Sequence, residues 1–166
     1  LYPFVAELSS LSLWLTSAGL ITATWGGLAA AGSSHPGRLW GYAMIHDWGL
    51  ILLMLAAPGE DSWPLVLFLF GLRAISVLTA ATGLAYLRTA AGSLKPTGLR
   101  GVGRLAPWTT SAYILSGLGL AGFPLSAGFT GHWAALQTIA ETDWLVASIV
   151  LLASGGVVIG FIRLVR

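Results

Sequence analysis

Apolar runs separated by short polar stretches follow one another along the whole chain. Each run has about 20 residues or more, which is the length an α-helix needs to cross a bilayer. Turn-forming residues at 32–37, Gly-Ser-Ser-His-Pro-Gly, separate the first two runs. The pattern predicts an all-α membrane protein with about five transmembrane helices. The expected helices are residues 5–31, 39–57, 64–87, 107–140 and 144–165.

The fourth run is interrupted by residues that disfavour a continuous helix. These are Gly122, Pro124, Gly128 and Gly131. Pro124 donates no backbone hydrogen bond and its ring clashes with the preceding turn, so we expect a break near residues 122–131. In lipid, unpaired backbone groups cost several kcal/mol each, so the break should be buried among neighbours or line a wet cavity. Transporters place ion sites at such breaks.

Charge is distributed unevenly between the loops. Arginines and Lys95 concentrate near residue 38, in 88–104 and at 163–166, whereas 60–61 and 141–143 carry the acidic residues. The positive-inside rule predicts that the basic stretches share one side of the membrane. An odd number of crossings must then separate the basic and acidic stretches around the fourth run. One long broken helix meets this requirement, and we interpret residues 88–106 as a loop.

Composition agrees with a membrane location and excludes several kinds of site. Hydrophobic residues make up 56% of the 166 residues and charged residues 8%, with a mean hydropathy of +0.83; soluble domains carry about 25% charged residues. The absence of cysteine excludes disulfides, thiolate zinc sites and cysteine-ligated clusters. Three dispersed histidines lack metal-ligand spacing, and nothing indicates a nucleic-acid partner. A start at Leu1 without methionine predicts a processed protein or one piece of a longer one.

Ionisable residues inside the apolar runs are the candidate functional groups, because each costs about 2.5–3.5 kcal/mol at a helix centre. His132 directly follows the break, and histidine changes charge near neutral pH, which suits a proton relay. The alternative is a neutral histidine bonded to a freed backbone carbonyl. His46 and Asp47 point about 100° apart on a helix, so we expect one of them to face the bundle interior.

Arg73 lies about as deep in the third run as Asp47 lies in the second, so the two are candidates for an ion pair. The pair would be structural or conducting, and snorkelling of Arg73 toward the interface is a third possibility. Gly156 and Gly160 have a small-xxx-small spacing that lets another helix approach closely. Tryptophans at helix ends are typical of an aromatic belt: Trp40, Trp63, Trp108 and Trp144.

Three stretches in order resemble one family. LRGVGRLAPW followed by LSGLGLAGFPLSAGFTGHW resembles the second broken-helix region of the antiporter-like subunits of proton-pumping NADH:quinone oxidoreductase (complex I). GRLWGYAMIHDWGLILL is similar to that family's K-R-L-L-A-Y-S-S-I-x-H-x-G-Y-x-L-L helix, and VLLASGGVVIGFIRLVR to its terminal helix. Together these stretches cover nearly the whole chain, and they are most similar to the subunit N branch.

The resemblance implies that the chain is the second of two inverted five-helix repeats, each of which contributes a half-channel for protons. His132 stands where the family usually has a broken-helix lysine, Arg38 occupies a basic position and His46 matches a histidine. Asp47 departs from the pattern, and the third helix offers only Arg73. His132, Arg73, Asp47 and His46 are therefore the candidate proton-relay residues.

The resemblance also implies partners and a location. It implies that the chain binds no cofactor itself, while NADH, FMN, iron–sulfur clusters and quinone belong to partner subunits of complex I. A companion chain would supply the first repeat, and the membrane would be the mitochondrial inner or the bacterial cytoplasmic membrane. A split fragment with an assembly role, or a subunit of a related cation/proton antiporter or membrane hydrogenase, is the alternative.

Overall fold

The computed structural model describes residues 2–57, 62–95, 98–99 and 101–164, without the side chains of residues 2–9 and 62. These residues form helices and no strand, which confirms the predicted all-α class. Among the described residues, three helices are long and apolar enough to cross a membrane: Pro36–Ala56, Trp63–Ala91 and Trp144–Leu164. The helices in chain order are α1 (Tyr2–Gly32), α2 (Pro36–Ala56), α3 (Ser62–Ala91), α4 (Val102–Leu105), α5 (Pro107–Leu120), α6 (Phe129–Thr142) and α7 (Trp144–Leu164).

The largest difference from the predicted helix bounds is at the end of the third helix. Helix α3 runs to Ala91 rather than to 87, because residues 88–91 favour helix and Gly92, with φ of 68°, provides the left-handed residue that ends it. The predicted loop 88–106 therefore contains the end of α3 and the short helix α4. Glu60, Asp61, Arg100 and Arg166 of the predicted charged stretches lie outside the described residues.

Helix α1 packs closely against both α2 and α7 through small residues. A Cβ at Gly156 would lie 2.5 Å from the carbonyl oxygen of Gly27, and one at Gly160 would lie 2.6 Å from that of Ala30. The small-xxx-small spacing in α7 thus receives α1, as such spacings do for neighbouring helices. The contact brings the backbones of α1 and α7 close together.

Adding one methyl group at this contact should separate the two helices. We expect Gly156→Ala to lower the free energy of unfolding by about 1–3 kcal/mol, because the carbonyl of Gly27 cannot move without displacing α1. Gly155→Ala is the matched control, since its Cβ would meet no atom within 4 Å. Unfolding of the two variants in detergent micelles measures the difference, and equal stabilities would contradict this packing.

Helices α5 and α6 lie end to end along α3. From the end of α3 toward its start, Gly83 faces Tyr113, Leu72 lies against Gly128, and Phe68 lies against Gly131. The order along α5 and α6 is the reverse of that along α3, so the two short helices form one interrupted, antiparallel crossing. The predicted broken helix is confirmed, with its interruption at residues 121–128.

Basic residues gather at one end of the bundle. Arg104 and Arg163 line a cavity of about 670 Å³ together with the start of α2 and the end of α3. Nη2 of Arg163 donates to the carbonyl of Ser33 at 2.8 Å. These positions agree with the predicted sharing of one side by the basic stretches.

One of the predicted belt tryptophans lies elsewhere. Trp63, Trp108 and Trp144 are exposed, but Trp40 is buried. Its ring packs 6.1 Å from that of Tyr113, whose hydroxyl donates to the carbonyl of Pro36 at 2.7 Å. The expectation for Trp40 was wrong because α5 covers the first turn of α2, a contact that helix-end position alone does not reveal.

Candidate functional site

The interruption between α5 and α6 begins at a glycine cap. Gly122 has φ of 64°, the N–H of Phe123 donates to the carbonyl of Leu118 at 3.0 Å, and that of Gly122 donates to Gly119 at 3.2 Å. This pair of bonds is the Schellman motif, and proline commonly follows it. Helix α5 therefore ends at Leu120, just before the left-handed Gly122, and Pro124 lies beyond this cap.

The interruption corrects two parts of the sequence interpretation. Pro124 is exposed and lies beyond the helix end, so its ring does not clash with a preceding helical turn. Gly131 lies inside α6. The carbonyls of Leu118 and Gly119 at this helix end accept hydrogen bonds in the cap.

The absence of a side chain at Gly122 also leaves room for the imidazole of His132. A Cβ at Gly122 would overlap the side chain of His132. We expect Gly122→Ala to cost about 1–2 kcal/mol from the left-handed backbone alone, and more from displacement of the imidazole. Gly119→Ala is the control, because its Cβ would meet nothing within 4 Å. Thermal unfolding of both variants tests this, and a Gly122→Ala variant as stable as the control would contradict it.

A serine on α7 joins two histidines from different helices. Nε2 of His132 lies 3.0 Å from Oγ of Ser154, and Nε2 of His46 lies 2.9 Å from the same oxygen. The rings of His46 and His132 stack with centroids 5.9 Å apart. Nδ1 of His46 lies 2.9 Å from the carbonyl oxygen of Ala23 on α1. Four helices thus contribute to one continuous hydrogen-bonded chain.

This hydrogen-bonded cluster lies deep in the bundle. His46 is 0% exposed, His132 3% and Ser154 4%. His46 and Ser154 lie at the midpoints of α2 and α7, each of which is 21 residues long. The polar cluster therefore lies near mid-depth of the two helices, where a polar group without a partner would be most costly.

Both His46 and Asp47 are buried, which corrects the expectation that only one of them faces the interior. His46 faces α1 and α7, whereas Asp47 faces Arg73 on α3. The two side chains still diverge as helical geometry requires. Because α2 is packed by α1, α3, α6 and α7, two diverging directions both lead into the bundle.

Asp47 and Arg73 form a buried ion pair. Nε of Arg73 donates to Oδ2 of Asp47 at 2.6 Å, and Nη2 donates to the same oxygen. The guanidinium lies 4.0 Å from the centroid of the Trp48 ring, a cation–π contact that is worth about 2 kcal/mol when desolvated. Nη1 of Arg73 is buried and has no partner among the described residues. The pairing rules out snorkelling of Arg73 in this structure.

The four candidate residues thus form two neighbouring groups, His132 with His46 and Asp47 with Arg73, and the adjacency of His46 and Asp47 joins them. The sequence interpretation missed Ser154, although a serine inside an otherwise apolar helix is a signal that could have drawn attention to it. His132 bonds the hydroxyl of Ser154 rather than a freed carbonyl at the break. Within the described ranges, no group of three or more His, Cys, Asp or Glu could hold a metal ion.

The arrangement contains the elements of proton transfer. An imidazole can bind or release a ring proton, and the hydroxyl between the two imidazoles can donate and accept hydrogen bonds simultaneously. The hydrogen-bond lengths of 2.9 and 3.0 Å are in the normal range. The ion pair lies one residue further along α2 and places a fixed dipole beside the cluster.

Comparisons with known proteins agree with this architecture. Residues 1–160 match the family model described as NADH:quinone oxidoreductase/Mrp antiporter, transmembrane. The chain is 32% identical over 127 residues to NADH-quinone oxidoreductase subunit N of Mycobacterium sp. (strain JLS), covering 75% of this chain and 26% of that protein. It is 28% identical over 154 residues to subunit N of Psychrobacter arcticus, covering 89% and 31%.

The same relationship extends to subunit N of Nitrosomonas europaea, at 27% identity over 132 residues, covering 77% of this chain and 27% of that protein. The chain thus spans less than a third of the length of these relatives. The family match covers nearly all of the chain and confirms the resemblance seen in the broken-helix, His46 and terminal-helix stretches. This membrane protein belongs to the NADH:quinone oxidoreductase/Mrp antiporter transmembrane family.

Proposed function

We propose that this chain is a membrane-arm subunit of a proton-translocating NADH:quinone oxidoreductase and contributes one half-channel for protons. The observation that carries the proposal is the buried chain from His132 through Ser154 to His46, beside the interruption of α5–α6. Intramembrane ionisable groups are costly and mark ion pathways by default. The subunit N names of the relatives support the type of complex.

In this proposal, His132 receives a proton near the interruption and passes it toward His46. The cap at Gly122 holds the His132 side chain against α5, and close packing of α1 and α7 excludes lipid from the cluster. Asp47 and Arg73 respond to charge on His46, because an ion pair in a low-dielectric interior is sensitive to a neighbouring charge. The pair thereby connects the histidines to α3.

The redox chemistry belongs to other chains of the assembly. NADH, FMN, iron–sulfur clusters and quinone are assigned to partner subunits, and a companion chain provides the first five-helix repeat. The membrane is then an energy-transducing one, either bacterial cytoplasmic or mitochondrial inner. The bacterial sources of the relatives favour the former.

Purification of the native assembly tests this proposal. The chain, carrying an affinity tag and extracted in mild detergent, is expected to copurify with subunits that oxidise NADH and reduce quinone. Copurification with a hydrogen-oxidising or sodium/proton-exchanging complex, without NADH oxidation, would contradict it. An assembly that oxidises NADH but pumps normally after loss of both histidines would support the assembly role instead.

A further inference from the structure

We propose that the hydroxyl of Ser154 carries protons between His132 and His46, as the bridging residue of the relay. This inference rests on the proposed proton-translocating function and assigns a new residue to it. Ser154 is the residue whose hydroxyl contacts both imidazoles, at 3.0 Å and 2.9 Å. The ring centroids are 5.9 Å apart, and both facing Nε2 atoms converge on the same oxygen.

Counting the available protons shows which group donates in each hydrogen bond of the cluster. The carbonyl of Ala23 can only accept, so Nδ1 of His46 carries a proton. When His46 is neutral, its Nε2 has no proton and must accept from the Ser154 hydroxyl. The serine oxygen then accepts from a proton on Nε2 of His132. Each bond has one donor only in this arrangement, which points from His132 through Ser154 to His46.

The hydroxyl has a second acceptor on its own helix. Oγ of Ser154 lies 3.0 Å from the carbonyl oxygen of Val150. When His46 carries two ring protons, both its nitrogens donate, so the hydroxyl must turn away from it. The carbonyl of Val150 accepts the hydroxyl proton in that state, as a serine hydroxyl commonly bonds four residues back in a helix. Rotation of the hydroxyl therefore follows the charge of His46.

The transfer step conserves protons and electron pairs. It begins with His132 doubly protonated and with His46 neutral. The N–H bond at Nε2 of His132 breaks and its proton forms a bond with the oxygen of Ser154, while the original O–H bond breaks and that proton bonds Nε2 of His46. His132 ends neutral, Ser154 ends as a hydroxyl and His46 ends doubly protonated. One positive charge moves from α6 to α2.

Nitrogen-15 NMR of the membrane-embedded assembly tests the direction of these hydrogen bonds without any pumping assay. The chain has three histidines, and His35 at the start of α2 lies outside the cluster, so the signals can be assigned with single variants. With both cluster histidines neutral, we expect a proton on Nδ1 and none on Nε2 of His46, and a proton on Nε2 of His132. A proton on Nε2 of neutral His46 would overturn the bridge.

Substitution of the serine tests transfer itself. Ser154→Ala is expected to slow proton translocation at least about tenfold in vesicles containing the assembly. Ser148→Ala is the matched control, because this second serine of α7 bonds the carbonyl of Trp144 and lies away from the cluster. Ser154→Thr keeps a hydroxyl and should restore most of the rate. In heavy water the wild-type rate should fall more than that of Ser154→Ala.

These outcomes distinguish a failure of the Ser154 bridge from a failure of the proposed proton-translocating function. If the wild-type assembly pumps and Ser154→Ala pumps equally fast with an unchanged heavy-water effect, the bridge is overturned and the proposed function stands. If the wild-type assembly does not pump, the proposed function fails, and the NMR pattern still decides how Ser154 is bonded. A slow Ser154→Ala with a fast Ser154→Thr supports the bridge.

Discussion

Replacing Arg73 with methionine is expected to lower the free energy of unfolding by about 3–5 kcal/mol, because Asp47 then remains as an uncompensated charge inside the bundle. Asp47 is 2% exposed and its Oδ2 accepts from both Nε and Nη2 of Arg73. Asp47→Leu is expected to cost a similar amount, since it leaves the guanidinium without its anion. Unfolding of the purified protein in detergent micelles measures both values.

The double variant is the informative control. Asp47→Leu combined with Arg73→Met removes both charges, and such replacements are often neutral or stabilising. We therefore expect the double variant to be markedly more stable than either single variant. Losses that simply add would contradict a coupled pair, and would indicate that each side chain acts separately. Arg88→Met, an exposed arginine in the last turn of α3, should change stability little.

Under the proposed function, replacing His132 with alanine is expected to lower the rate of proton translocation by about 10²-fold, the scale associated with losing one positioned acid–base group. The physical reason is that Ser154 loses the donor at 3.0 Å that begins the chain. Fluorescence quenching in sealed vesicles, driven by NADH oxidation, measures the rate. Assembly should persist, because His132 contributes one hydrogen bond to the bundle.

His35→Asn is the matched control for that substitution. His35 is also a histidine, but it lies at the start of α2, where its side chain accepts from the N–H of Arg38 and caps the helix. Asparagine can provide the same cap. Normal pumping by His35→Asn together with normal pumping by His132→Ala would contradict a role for His132, and would favour a chain retained for assembly.

The helices and their interruption could be predicted from the sequence because both depend on local chemistry. Long apolar runs predict membrane helices without knowledge of their neighbours, and glycine with proline predicts a break. The identity of the terminating residue was less accessible. Gly122 rather than Pro124 ends α5, because a left-handed residue closes two backbone bonds that the proline cannot close.

The ion pair could also be predicted from the sequence. Asp47 and Arg73 lie at similar depths in successive antiparallel helices, and buried charges need partners. The convergence of the histidines could not be predicted, because it depends on how α2, α6 and α7 pack against one another. Depth identifies His46 and His132 as buried but does not show that their rings stack.

Ser154 shows why the remaining part of the site was missed. Its neighbours Gly155 and Gly156 indicate close helix packing. A serine in an apolar helix usually bonds its own backbone, so the pattern does not indicate a site. It does so here too, through the carbonyl of Val150. Its contacts with two imidazoles depend on residues 22 and 108 positions away in the chain, which no local pattern could relate.

Infrared difference spectroscopy of the membrane assembly, with isotope-labelled histidine, tests the central claim most directly. If the cluster relays protons, NADH oxidation should produce paired bands of neutral and doubly protonated imidazole that shift with the label. These bands should disappear in His132→Ala and remain in His35→Asn. Bands absent from the wild-type assembly during turnover, or unchanged in His132→Ala, would contradict the claim that these buried histidines carry protons.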